Sequence, residues 1–183
     1  MMVQSHEVLR TERLRMRWFE PANEADQRFI IELVNDPDWI ANIGQRNVST
    51  CEQAEAFLRN GPTGMCEKLG FGLYLVERLA DGVPVGMCGL IKRDTLADID
   101  IGYAFLPVAR GQGFAHEAAR AVLAWGREAL GLKRVVAIVT PSNGPSLKLL
   151  ASLGFADEGT FLMPPDNETL RLLGWSAAAA VVD

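Results

Sequence analysis

The sequence predicts a single compact domain of the α/β or α+β class, and three observations carry that prediction. The chain has 183 residues, long for one domain and short for two. Its apolar residues recur every second position in some stretches and at helical spacing in others, as strands and helices demand. No stretch is rich enough in Gly, Ser or Pro to act as a linker, and no internal repeat divides the chain.

The elements follow in order. Arg13, Arg15 and Arg17 alternate with Leu14, Met16 and Trp18, the period of a half-buried strand whose arginines form a solvated face or, as the alternative, contact an acidic group. Residues 24–35 place Phe29, Ile30, Leu33 and Val34 on one helical face, and "NDPDW" stops that helix. In "STCEQAEAFL", Ser49 stands three before Glu52 and Thr50 three before Gln53, so either pair can form a capping box for a second helix. "FGLYLVERLADGVPVGMCGLIKR" is a hairpin turning at Asp81 and Gly82. "ADIDIGYAFL" is a third strand of clean alternation. A helix over 113–130, a short apolar strand "RVVAIV" and a helix "PSLKLLASL" follow, the last with Pro145 near its start and Gly154 just past its end. Two final strand-like runs surround "EGTFLM" and "ETLRLLGW". The tail "SAAAAVVD" reads as a strand extension, a contact patch or a frayed end.

Composition narrows the function classes. With 49% hydrophobic and 22% charged residues, the chain is an ordinary soluble globular protein. Its formal charge of −5 argues against general nucleic-acid binding, which needs a basic face to displace counterions from phosphates. Cys51, Cys66 and Cys88 are odd in number and lack CxxC spacing, so neither a disulfide framework nor a zinc site is expected. Reduced thiols in a cytoplasmic protein fit this pattern. The first residues hold no apolar signal segment, and no run approaches the roughly 20 apolar residues that span a bilayer.

One stretch asks for a special explanation. In "FLPVARGQGFAHEAARAVLAWG", Gly111 and Gly113 stand where a helix begins, although glycine costs about 1 kcal/mol against alanine inside a helix. A helix front leaves about four N–H groups without partners and carries partial positive charge. Glycine lets an anion approach that backbone, and Arg110 adds a full charge. Arg110, Gly111, Gln112, Gly113, Phe114 and Ala115 therefore read as a pyrophosphate cradle, beside the plainer reading of a tight strand-to-helix turn. A dinucleotide-binding unit would need an acidic residue near the end of the next strand, but Val139, Thr140 and Pro141 stand there, and the P-loop pattern is absent. Behind the glycines, Ala115, Ala118, Ala119 and Val122 form a small apolar stripe for packing on a sheet.

The motif "RGQGFA" resembles the acyl-CoA signature, (Q or R)-x-x-G-x-(G or A), of the GNAT (GCN5-related N-acetyltransferase) superfamily, with Arg110, Gly113 and Ala115 in the defining places. "TERLRMR", "IDIGYAFLPVARGQGFAHEA" and "NGPSLKLLASLGF" are similar to the branch that includes the ribosomal-protein-alanine acetyltransferases. The resemblance covers nearly the whole chain. It implies a mixed, mostly antiparallel sheet of about seven strands with helices on both faces. It also implies acetyl-CoA as co-substrate, an amine acceptor and direct attack in a ternary complex. A homodimer is compatible with it.

In the resembled fold, the strand before the cradle splays from the next, and its backbone holds the pantetheine and polarises the carbonyl; that role falls on Phe105, Leu106 and Val108. Asp98 and Asp100 share one strand face with Gly102 and Ala104, opposite Ile101, Tyr103 and Phe105. Asp100 is the first choice of base and Asp98 the second, against the alternative of a wet acidic face. Ser146 heads a stripe with Leu149, Leu150 and Leu153. It is the candidate acid because many members carry a tyrosine four positions further on, where this chain has Leu150. A serine tidying the helix start is the alternative. Asn143 stands where the family's pantetheine-binding asparagine stands, or caps the helix. His6 and His116 read as surface or helix residues, and the tryptophans as packing. A non-catalytic acyl-CoA-binding or sensor module on the same fold is the rival reading, which Leu150 makes credible.

Overall fold

The strand and helix signals resolve into eight strands and six α-helices in the computed structural model, which describes residues 6–177. In chain order these are β1 (Glu7–Arg10), β2 (Leu14–Arg17), α1 (Glu24–Val34), α2 (Pro37–Asn42), α3 (Cys51–Asn60), α4 (Pro62–Leu69), β3 (Leu73–Arg78) and β4 (Pro84–Ile91). They continue with β5 (Asp100–Phe105), α5 (Phe114–Leu130), β6 (Arg134–Val139), α6 (Gly144–Ser152), β7 (Ala156–Met163) and β8 (Glu168–Ser176). The strands form one sheet in the order β1-β2-β3-β4-β5-β6-β8-β7. Every pairing is antiparallel except β5 with β6.

Two apolar layers cover the sheet. On one face Leu14, Met16, Tyr74, Val76, Ile101 and Phe105 pack against Phe114, Ala118, Ala119 and Val122 of α5 and Leu150 of α6. On the other, Leu75, Met87 and Leu106 pack against Phe29, Ile30 and Leu33 of α1, Trp39 of α2 and Leu58 of α3. Ala118 and Ala119 of α5 are fully buried, and their small size lets the helix lie close on the strands.

The strand count exceeds the expected seven by β1, whose four residues are too few to show a period. Two helices also escape a search for apolar spacing. Both α2 and α4 place proline in their first turn, and Pro37 starts a helix within the segment read only as the stop of the preceding one. Asp36, whose side chain accepts from the Trp39 N–H, caps α2. Of the two capping-box candidates, Thr50 with Gln53 forms both reciprocal bonds at the front of α3.

Of the two readings of the arginine set, the solvated face gives way to the alternative, contact with acidic groups. Arg17 is buried, its Nη atoms on the Asp26 carboxylate at 2.8 and 2.9 Å and its Nε on Glu77 at 2.8 Å. Arg15 reaches the same Glu77 at 2.6 Å, and Arg13 pairs with Glu117 of α5 at 2.7 Å. A period of two reports which residues share a face but not which acids meet them; here α1 supplies Asp26, β3 supplies Glu77 and α5 supplies Glu117. The cluster ties β2, β3 and α1 together, and removing one partner would leave a buried charge unpaired.

Cys66 and Cys88 are buried and Cys51 is exposed, all as free thiols. Trp39 and Trp175 are buried; Trp125 packs edge-on to Tyr74 and Trp18 stacks on His6. Among the described residues, no helix is long and apolar enough to cross a membrane, and no cluster of His, Cys, Asp and Glu could hold a metal. The tail beyond Ala177 lies outside the described residues.

Candidate active site

β5 and β6 run parallel but are joined at a single register pair, Asp100 with Val136, alongside a bond from the Val136 N–H to the Ile99 carbonyl at 3.0 Å. Beyond it the two strands diverge, and a cavity of about 980 Å³ is lined by both. It takes residues from the two faces of β5, Asp100, Gly102 and Ala104 from one and Ile101, Tyr103 and Phe105 from the other. The cavity thus passes through the sheet at the split.

Backbone alternation decides which groups face the gap. The Leu106 N–H bonds to Val85 of β4 at 3.0 Å and the Ile99 carbonyl points to β6, so the polar backbone of Ile101, Tyr103 and Phe105 faces β6. Leu106 therefore turns its N–H away from the split. Val108 lies in the short turn Pro107–Ala109 with its side chain exposed to solvent. Neither lines the cavity, whereas Phe105 does.

The glycines of the cradle are required by conformation. Gly111 and Gly113 adopt φ of +72° and +80°, the left-handed region that costs side-chain-bearing residues. No side chain caps α5, and the first N–H to return to the loop is that of Glu117, on the Gly113 carbonyl at 3.0 Å. Open space surrounds Gly111 where a Cβ would stand. Gly111, Gly113, Phe114 and Ala115 line the cavity; Gln112 does not, and instead braces the loop through Nε2 on the Val108 carbonyl at 2.9 Å.

Two arginines shape this loop. Arg13 donates to the Gln112 carbonyl at 2.7 Å, pairs with Glu117 and lies over the Phe114 ring at 4.5 Å. Arg110, expected beside the anion, turns to the α1–α2 corner, with Nη atoms on Asp36 at 2.6 Å and Asp38 at 2.5 Å and Nε on the Phe105 carbonyl at 3.1 Å. It still lines the cavity, as a strut joining the cradle to α2.

Asp100 is 1% exposed. Its two oxygens accept from Arg93 Nε at 3.0 and 3.2 Å. Burial pushes its carboxyl up to about 6 against the lowering pull of Arg93. Asp98, two residues earlier, lies outside the cavity, half exposed and bonded to Arg134 at 3.0 Å, which also holds Glu158. The expected pair of aspartates is thus divided: one stands at the cavity, the other in an outer ion-pair cluster.

Ser146 lines the cavity, with its hydroxyl 2.7 Å from the Tyr103 hydroxyl. Burial pushes the Tyr103 phenol up to about 12. Asn143 caps α6 by accepting the Ser146 N–H at 3.3 Å and lines the cavity as well. Leu150 is buried in the core. Tyr103 and Arg93 are the residues that sequence reading passes over, and Arg46, in the loop "IANIGQRNVST" expected to shape the acceptor site, also lines the cavity; "IGY" marks Tyr103 as a strand residue but carries no sign of its partner 43 positions away.

The acetyltransferase (GNAT) domain model matches residues 13–156 of this chain. The chain belongs to the GNAT acetyltransferase family. This GNAT protein is 30% identical over 160 residues to the uncharacterized N-acetyltransferase YnaD of Bacillus subtilis, spanning 86% of this chain and 89% of that protein. Its fold is shared by the ribosomal-protein-S5-alanine acetyltransferase of Vibrio fischeri, with a TM-score of 0.74, 21% identity and coverage of 92% and 95% of the two chains. The spermidine N-acetyltransferase of Vibrio cholerae, solved with CoA and spermine, gives a TM-score of 0.74 at 18% identity, covering 94% and 100%. The GNAT domain and N-acetyltransferase relatives make the chain an acetyltransferase enzyme, which sets aside the non-catalytic sensor.

Proposed function

We propose that the chain transfers an acetyl group from acetyl-CoA to a primary amine, on a peptide N-terminus or a small molecule, by direct attack in a ternary complex. The observation that carries this reading is one cavity running from the uncapped front of α5, through the β5–β6 split, to a buried aspartate. The cradle fits a diphosphate: left-handed glycines expose backbone N–H groups at a helix N-terminus with open space in front of Gly111. Asn143 and the edge of β5 facing β6 stand where a pantetheine arm would pass.

Each partial reaction then has a group of this chain. Asp100 takes the amine proton, directly or through one water, as the nitrogen forms its bond to the acetyl carbon and the carbon–sulfur bond breaks. A carboxyl near 6 is a stronger base than an ordinary aspartate and still ionised at pH 7. The N–H groups of β5 that face the gap polarise the carbonyl. The Tyr103–Ser146 hydroxyl pair supplies hydrogen bond and proton to the departing sulfur. Asp100 and Tyr103 are three residues apart on β5, about 10 Å along it at 3.3 Å per residue, and project from opposite faces, so the reacting atoms would lie in the split through which the cavity passes.

Incubation with acetyl-CoA and a panel of amines and peptides should release free thiol and yield N-acetylated products by mass spectrometry. Label found only on hydroxyl groups would overturn the amine assignment. The cradle is tested separately. Valine at Gly113 must adopt an unfavourable φ and places its Cβ 3.3 Å from the Arg13 guanidinium. Gly113→Val is expected to weaken calorimetric coenzyme A affinity at least about tenfold, or roughly 1.4 kcal/mol, and unchanged affinity in the folded variant would remove the cradle from the site.

A further inference from the structure

The cavity holds a cation that the reaction described above does not use. Every arginine of the chain except Arg46 and Arg120 forms an ion pair among the described residues. Arg120 points to solvent from α5. Arg46 instead lines the cavity, in the segment between α2 and α3. Among the described residues its Nη atoms reach only the Gln45 and Ile43 carbonyls, both at 3.4 Å, at the long edge of hydrogen bonding. The segment itself is anchored: Trp39 Nε1 donates to the Gly44 carbonyl at 3.1 Å and Asn35 Nδ2 to the Val48 carbonyl at 2.7 Å. The cation is thus held at the cavity by its backbone, with no acid paired to it among the described residues.

Its electrostatic neighbour is a second cation. Burial and the like charge of Arg93 both act against the Arg46 charge, and guanidinium stays protonated under such pressure. Arg93 is bound to Asp100 through Nε alone, leaving its Nη groups without a carboxylate among the described residues. Arg93 alone holds Asp100, and Arg46 lines the same cavity without a contact to that aspartate. Asp36 and Asp38 are occupied by Arg110, and Glu168 lines the cavity from the start of β8. Apolar side chains, Trp39, Ile43, Phe57 and Leu170, line much of the remainder.

We propose that the acceptor amine carries a carboxylate, bound by Arg46 and the Nη groups of Arg93 while its nitrogen faces Asp100; the class that fits is a free amino acid with an apolar side chain. This rests on the reading of the cavity as an acetyltransferase site. An α-amino acid presents its ammonium and carboxylate side by side, as Asp100 and the two guanidiniums do in reverse. A peptide N-terminus lacks the adjacent carboxylate, and a polyamine would bring a further cation to a site that already has two.

The test compares L-phenylalanine, L-phenylalaninamide and phenethylamine as acceptors at saturating acetyl-CoA, with thiol release as readout. The acid is expected to exceed the other two by at least about tenfold in kcat/KM, the order of a charge-assisted bidentate contact. Arg46→Gln should collapse that ratio, Arg46→Lys should restore part of it, and Arg120→Gln should leave it unchanged. Equal use of acid and amide by the wild type, or a preference for the uncharged or polycationic acceptor, overturns the proposal. So does an Arg46→Gln defect confined to the KM for acetyl-CoA, which would place Arg46 on a coenzyme phosphate. A second measurement does not need turnover: the protein with coenzyme A should bind N-acetyl-L-phenylalanine at least about tenfold more tightly than its amide. If no amine releases thiol yet this preference holds, the transferase reading fails and the carboxylate site stands. If amines react without it, the reverse is true.

Discussion

Asp100→Asn is expected to lower kcat/KM at pH 7 by about 10² or more while leaving acetyl-CoA affinity within a few fold, the usual worth of a positioned base. Asparagine keeps the shape of the side chain and its contact with Arg93 but cannot take a proton. The attacking amine must then arrive already neutral, so the variant should recover part of its activity as rising pH supplies free amine. In the wild type the carboxyl is pushed up to about 6, and activity should climb with pH through that value as Asp100 ionises. Asp98→Asn breaks only the outer contact with Arg134 and should change the rate by no more than about twofold. Full activity of Asp100→Asn across pH 6 to 9 would move the base elsewhere.

The same burial predicts a stability effect of definite sign. The folded state holds the Asp100 proton to about 6, whereas an unfolded aspartate releases it near 3.9. Stability from this group is therefore fully present below about 3.9 and is lost as pH rises through about 6. The amide that replaces the carboxyl in Asp100→Asn does not titrate, so the melting temperature of that variant relative to wild type should rise between pH 4 and pH 7. A difference constant across that range would mean that the carboxyl is not perturbed. A buried charge that costs stability at working pH is the pattern of a residue kept for chemistry.

What the sequence made legible was local. The left-handed glycines, the small-residue face of α5, the Thr50–Gln53 box and the hairpin at Asp81–Gly82 all depend on neighbours within a few positions, and spacing alone reveals them. Asp100 was legible as a carboxylate on a strand face, but its separation from Asp98 was not. Alternation puts both on one face and says nothing of Arg134 arriving from β6 to claim the outer one. Arg110 shows the same limit, since its charge beside the cradle is a sequence fact and its capture by Asp36 and Asp38 depends on how α2 docks. Arg17, Tyr103 and Arg46 acquire their meaning from partners that only the folded chain supplies.

Tyr103→Phe and Ser146→Ala are each expected to lower kcat by about 10², the low end of general-acid assistance, with acetyl-CoA affinity within a few fold. The two hydroxyls lie 2.7 Å apart, so one donates to the other and the pair retains a single O–H free for the departing sulfur. A phenol pushed up to about 12 stays protonated at every working pH, so no falling limb from this group should appear below pH 9. Ser146 is not needed to start the helix, because Asn143 already caps α6 through the Ser146 N–H; a pure capping role would show as about 0.5 to 2 kcal/mol of lost stability without a rate change. Removing either member breaks the relay, so the double variant should be slower than each single one by only a few fold, far from the product of the two losses. Multiplicative losses would mean two independent roles. Melting temperatures that fall while the rate per folded molecule holds would return both hydroxyls to packing and leave the sulfur to be protonated from solvent.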